Sequence, residues 1–225
     1  MARGYGQFCG VARGLEIVGE RWGLLVVRDL LVGPRRFSEL RRGLPKIPTN
    51  VLSTRLRELE AAGVVRRRLL ARPETGFEYE LTEYGHDLEE AVTALGRWGA
   101  RSLGEPGEDE IVTTDSLVMA LRSTFRPEAA PGFRGSFELR LGDVVVHARV
   151  DRERLDVAAG GLLGADLVIE TGPVLPALMA GELAPAAALA GGDVRLAGDA
   201  RLLDRFVELF RIGSGPTPPG AAPVG

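Results

Sequence analysis

Between Phe37 and Leu81 the chain is punctuated in a way that leaves few folds open. Phe37-Ser38-Glu39-Leu40-Arg41-Arg42 stops at Gly43, Leu44-Pro45-Lys46-Ile47-Pro48 is a turn, and Thr49 to Ala62 is a second helical run closed by Gly63. Proline cannot continue a helix and glycine ends one cheaply, so these positions bound two helices and a tight connection. In the second helix Leu52, Leu56 and Leu59 recur at helical spacing and define a buried stripe. Asn50, Ser53, Thr54 and Arg57 then fall on the opposite side. Those side chains are polar and donate hydrogen bonds, as reading base edges in a major groove requires. Two helices joined by a short turn, the second with such a face, make a helix-turn-helix.

Two strand-like runs follow directly, Val64 to Leu70 and Phe77 to Leu81, with Arg72-Pro73-Glu74-Thr75-Gly76 as the turn between them. A hairpin at this place is a wing, and Arg66, Arg67, Arg68 and Arg72 suit phosphates or a minor groove. Arg35, Arg36, Lys46 and Thr49 complete the candidate DNA-facing set. Upstream, Leu15, Val18, Trp22, Leu25 and Val26 share a helical stripe, but Gly19 and Gly23 predict two helices meeting near Glu20-Arg21-Trp22, the second stopped by Gly33-Pro34. Charge agrees with a polyanionic partner. The net charge of −3 conceals 15 basic against 6 acidic side chains in residues 1–72, while residues 105–225 carry 11 against 18. Taken singly, each feature is also what a solvated arginine-rich surface would have.

In combination the residues resemble a known family. Cys9, Leu15-Glu16-Ile17-Val18-Gly19-Glu20-Arg21-Trp22, Leu31-Val32-Gly33-Pro34-Arg35-Arg36-Phe37-Ser38-Glu39-Leu40, and the run from Leu52 to Val65 are similar to the HxlR-type winged-helix regulators, relatives of the MarR group. The likeness covers about residues 8–104 and includes Leu81-Thr82-Glu83-Tyr84-Gly85. One departure is Pro48, where the family usually has a helix-capping serine; Thr49 is the candidate replacement cap.

A helix expected from about Glu83 to Leu103 carries Leu88, Ala91, Val92, Leu95 and Trp98 on one stripe. It either packs on its own domain or, as the resemblance implies, forms a two-fold dimer interface with Leu88, Val92, Leu95 and Trp98. A dimer would set two recognition helices roughly 34 Å apart, one DNA turn. Cys9, the single cysteine, cannot form an internal disulfide. It is either a small apolar residue or a thiolate near Arg13 or Arg21 open to oxidation or alkylation, a role its position shares with sensor cysteines of some HxlR-type proteins.

Gly104 to Glu110 has the glycine, proline and like charges of a linker, so residues 1–104 read as one domain, 105–112 as the linker and 113–212 as a second domain. Residues 213–225, mostly Gly, Pro and Ala, are expected to form a disordered tail. The second domain offers a helix over Asp115 to Phe125, four strand candidates between Gly135 and Thr171, helices over Pro173 to Ala180 and Ala184 to Leu189, a fifth strand at Val194 to Ala197, and a closing helix from Asp199 to Phe210. That order predicts an antiparallel five-stranded sheet with helices on one face, α+β in class, beside a mainly α first domain. Its glycine placement, as in Met179-Ala180-Gly181-Glu182-Leu183 and Leu196-Ala197-Gly198-Asp199, resembles the sterol carrier protein type 2 fold. The resemblance implies an apolar tunnel, and Leu175, Leu178, Met179, Leu183, Leu203, Phe206, Val207 and Phe210 either line one or are ordinary core. His147 reads as a structural histidine.

No apolar run approaches the roughly 20 residues that cross a bilayer, and the N-terminus lacks a signal-peptide core, so a cytoplasmic location without a membrane partner is expected. There is no phosphate-binding glycine loop, zinc-ligand spacing or nucleophile elbow, which argues against an enzyme, and no cofactor is expected. The main reading is a homodimeric regulator that binds double-stranded DNA and takes a hydrophobic small molecule in its second domain. The alternative is a lipid or acyl-chain carrier with the winged helix as a dimerisation scaffold.

Overall fold

The computed structural model describes residues 4–213, apart from 72, 74, 105 and 108. The described residues form two compact units that divide between Val92 and Thr93.

In the first unit, α1 (Gly10–Val18) and α2 (Gly23–Val32) are separate helices broken across Gly19 to Trp22, as the two glycines predict. They are followed by α3 (Phe37–Gly43) and α4 (Thr49–Ala61), then by the antiparallel hairpin of β1 (Val65–Leu69) and β2 (Phe77–Leu81). Leu52, Leu56 and Leu59 of α4 are buried together with Val26, Val27 and Leu30 of α2, Leu40 of α3, and Val64 and Val65. Burying these side chains at about 25 cal/mol per Å² is what holds so short a helix in place. The Thr49 cap is not formed. Pro48 is the N-cap of α4 and gives no side-chain hydrogen bond, while Thr49 is already helical and accepts the Ser53 hydroxyl at its carbonyl, 2.9 Å away.

The expected long helix after the wing is two pieces, α5 (Glu83–His86) and α6 (Glu89–Ala100). Thr82 caps the start of α5. Its hydroxyl donates to the Gly63 carbonyl at 2.6 Å and accepts the Gly85 amide at 3.1 Å, tying the first turn to the end of α4. The Val64 carbonyl lies so close to Gly85 that a β-carbon has no room there, so glycine is required in the middle of this turn.

The second unit has α7 (Thr114–Thr124), strands β3 (Arg134–Leu141), β4 (Val144–Asp151), β5 (Arg154–Ala159) and β6 (Leu167–Thr171), then α8 (Leu175–Ala180), α9 (Pro185–Gly191), β7 (Val194–Gly198) and α10 (Leu202–Leu209). The strand order is β5-β4-β3-β6-β7. The sheet is mixed, which corrects the antiparallel expectation: β3 and β6 are parallel, with Phe137 opposite Leu167 and Leu139 opposite Ile169. Two hairpins place β5 at one edge. Residues 160–166 then carry the chain across β4 and β3 to enter beside β3 running the same way, and such a crossover produces a parallel pair. Phe137, Leu139, Val146, Ala148, Val157, Leu167 and Ile169 share one face in register and are all buried beneath the helices, so the helices do lie on one side. There Phe137, Phe206 and Phe210 pack ring to ring, with centroids 4.9 to 6.1 Å apart.

Candidate nucleic-acid interface

On α4 the leucines point inward, while Asn50 and Arg57 are exposed and Ser53 and Thr54 half-buried. Arg57 is laid back along its own helix, its Nε donating to the Ser53 carbonyl and one Nη to the Thr54 hydroxyl, each at 3.2 Å. The guanidinium is thus held over the polar face rather than left to wander, which lowers the entropy lost when it meets a ligand. Lys46 in the turn and Thr49 at the start of α4 are exposed beside this face in sequence. Arg36 caps α3 from the backbone, its amide donating to the Glu39 carboxylate at 2.6 Å. Arg35 has a role that no local pattern marks. Its backbone pairs with Tyr79 in both directions, at 2.9 and 2.8 Å, adding a one-residue third strand to the wing, and its guanidinium turns to the Pro34 carbonyl.

The wing arginines divide between two faces. Arg66 stands opposite Glu80, and Arg68 opposite Glu78, on the side away from the buried Val65, Tyr79 and Leu81. Arg66 pairs with Glu80 at 2.7 Å, and Arg68 pairs with Glu78 and, at 3.3 Å, with Glu80. Arg68 is held above even its usual basicity by the Glu78 hydrogen bond. Arg67 projects from the other face, over the Phe77 and Tyr79 rings at 5.1 and 5.9 Å, and meets Glu60 at the end of α4 at 2.9 Å. Arg72 lies outside the described residues. Sequence reasoning passes over all three glutamates: the alternation Phe77-Glu78-Tyr79-Glu80-Leu81 puts Glu78 and Glu80 on one face and is the signal for those two, while Glu60 on α4 has none.

Cys9 is exposed at the N-cap of α1. The Ala12 and, next, Val11 backbone amides turned toward its sulfur hold the thiol below its ordinary range. The two arginines expected near it have other partners: Arg13 pairs with Glu16 at 2.8 Å and Arg21 lies over Trp22 at 5.6 Å. On α6 and just before it, Leu88 and Val92 are half-buried and Leu95 and Trp98 exposed.

In the second unit Leu175, Leu178, Met179, Leu203, Phe206 and Phe210 are buried, and Leu183 and Val207 half-buried. A shallow depression of about 750 Å³ lies on the opposite face of the sheet, lined by Glu138, Val145, Leu162, Leu163 and Val168 among others. Glu138, buried in β3, accepts the Leu162 amide at 2.6 Å and so pins the crossover. That amide, with Arg140 beside it, keeps its carboxyl below the usual range. His147, its cross-strand neighbour, contacts the Gly160 carbonyl through Nδ1 at 3.0 Å.

A polar-faced second helix, its short turn and an arginine-bearing hairpin define a winged helix-turn-helix of the kind that transcriptional regulators use on DNA. The profile of the HxlR-like helix-turn-helix family matches residues 17–106. HTH-type transcriptional regulator Rv3095 of Mycobacterium tuberculosis is 36% identical over 139 residues, which cover 55% of this chain and 87% of that one. The chain therefore belongs to the HxlR-like helix-turn-helix family, and it is a DNA-binding transcriptional regulator in class. Among solved structures, the redox regulator HypR in its oxidized form is 35% identical over 43% of this chain and 99% of its own, with a TM-score of 0.40. The sec-alkylsulfatase Pisa1 from Pseudomonas sp. matches 46% of this chain with 17% of its own length, at 22% identity and a TM-score of 0.42. Among the described residues no helix is long and apolar enough to cross a membrane.

Proposed function

We propose that the protein is a homodimeric, sequence-specific regulator in which α4 enters the major groove, the wing follows the phosphate backbone, and the second unit takes a hydrophobic small molecule. The observation that carries the DNA reading is the split of α4: three leucines buried, Asn50 and a pre-positioned Arg57 exposed, and the arginines of β1 following directly in the chain.

Two observations support the dimer. Phe8, Val11 and Leu15, spaced as one helical face, are exposed at and before α1, and Leu95 and Trp98 are exposed on α6. Monomers rarely leave such large apolar side chains in groups facing water, and a second copy would cover them. For the small molecule, the support is a polar atom without a partner: the Thr171 hydroxyl is buried on the core face of β6, four residues before the start of α8, and makes no hydrogen bond. A ligand's polar end would satisfy it, with α8 and α10 parting to admit an apolar body. Such a ligand changes DNA affinity only if it binds the competent and incompetent dimers unequally.

The domains are read as 1–104, a linker over 105–112 and 113–212. Cys9, an exposed thiol with two amides behind it, is the site proposed for oxidation or alkylation.

Selecting genomic fragments on the purified protein tests the reading. It predicts enrichment of inverted repeats whose half-sites lie about 10 bp apart, centre to centre, bound by a protein that sediments as a dimer. Leu95→Glu with Trp98→Glu should give a monomer that loses the repeat preference. Recovery of random fragments, or a wild-type monomer at micromolar concentration, would overturn it.

A further inference from the structure

Among the described residues, the arginines that make the wing basic in sequence are paired with carboxylates in space. Arg66, Arg67 and Arg68 are matched by Glu80, Glu60 and Glu78. The outer pair of arginines is open to solvent, with side chains 66% and 54% exposed, while Glu80 and Glu78 lie lower, at 16% and 13%. Each carboxylate occupies the guanidinium edge that a phosphate would use, since Arg binds both anions through the same fork. It also adds a negative charge to the face a duplex must approach.

We infer that Glu78 and Glu80 are specificity-determining residues, internal anions that keep the wing arginines from gripping DNA the recognition helix has not read. The inference rests on the DNA-binding reading above. A duplex held only by its backbone must displace a carboxylate for each phosphate gained, so the exchange yields little. A duplex already docked through α4 presents its phosphates at high effective concentration, and the same exchange then proceeds. Arg67 stays out of it: stacked on Phe77 and Tyr79 and tied to Glu60, it fixes the hairpin to the end of α4.

The test is a salt titration of binding to a random-sequence duplex by the full-length wild type and by Glu78→Gln/Glu80→Gln. Freeing two arginines adds about two phosphate contacts at a slope near 0.9 each, so the slope should steepen by about 1.8 and affinity at about 0.1 M salt should rise between tenfold and sixtyfold. Each single variant should move the slope by about half as much, and either is read alone if the pair fails to fold. Glu128→Gln/Glu208→Gln removes the same charge in the second unit and should leave the slope unchanged. A wild type that binds DNA and wing variants with its slope and affinity would overturn the inference while leaving the DNA reading intact. Silence of wild type and variants alike on every duplex would overturn both.

Discussion

Replacing Arg57 by alanine separates reading from folding. In the free protein the guanidinium makes two exposed hydrogen bonds of 3.2 Å to its own helix. Exposed bonds of that length contribute little net stability, and alanine is the better helix former by a few tenths of a kcal/mol, so unfolding should change by under about 0.5 kcal/mol. On DNA the same donors meet a base edge, where a good bidentate contact discriminates by roughly 1–3 kcal/mol. That corresponds to a loss of about 5- to 150-fold in affinity for a selected genomic fragment. Fluorescence anisotropy on the selected fragment and on a scrambled duplex reads the difference: the first should weaken by that factor and the second far less, with the salt slope nearly constant. An equal loss on both duplexes with a slope shallower by about 0.9 would make Arg57 a phosphate contact, and no loss on either would remove α4 from the groove.

Three further outcomes follow from the geometry. Alkylation of Cys9 by iodoacetamide should show a pH midpoint below that of a free cysteine, because the Ala12 and Val11 amides favour the thiolate; a midpoint at or above the free value would contradict this. Glu138 has a carboxyl depressed in the folded state, so its stabilising contribution is present above the unfolded value of about 4.3 and is lost as pH falls through the lower folded value. Glu138→Gln should accordingly be less stable than wild type by roughly 1–2 kcal/mol at neutral pH in denaturant unfolding, with the gap closing in acid; a gap constant with pH would refute the role given to its charge. Leu56→Ala, at a fully buried position of α4, should lower the stability of the first unit by about 2–5 kcal/mol, and a loss below about 1 would mean that the stripe is not packed as described.

Much of the first unit was legible because its signals are local. Gly33-Pro34, Gly43, Pro48 and Gly63 bound helices by their own backbone chemistry, and the leucines of α4 announce their face by spacing alone. The same holds for the break between α1 and α2. What escaped depends on contacts distant in the chain. No periodicity marks Arg35 as a partner of Tyr79, because a one-residue bridge has no pattern. The Thr82 bonds and the close Val64 carbonyl fix the start of α5, and the interruption after His86 carries no periodicity signal, since the apolar stripe of Leu88, Val92 and Leu95 runs on regardless. In the second unit the strands themselves were readable, but the direction of β6 beside β3 was not, since it follows from the route of residues 160–166 across the sheet. At the interface the recognition-helix residues stood out by type and spacing. The wing reads in sequence as four arginines suited to phosphates or a minor groove; Glu78 and Glu80 make Arg66 and Arg68 paired groups, Glu60 of α4 makes Arg67 a brace, and Arg72 lies outside the described residues.

Hydrogen exchange of the full-length protein with and without its selected duplex tests the account where it is most exposed. The account predicts slowed exchange at the amides of Lys46 to Arg57 and of the hairpin from Val65 to Leu81, with added duplex of scrambled sequence protecting these segments less. Protection confined to residues 113–212, or none at α4 and the wing while the duplex is bound, would contradict it.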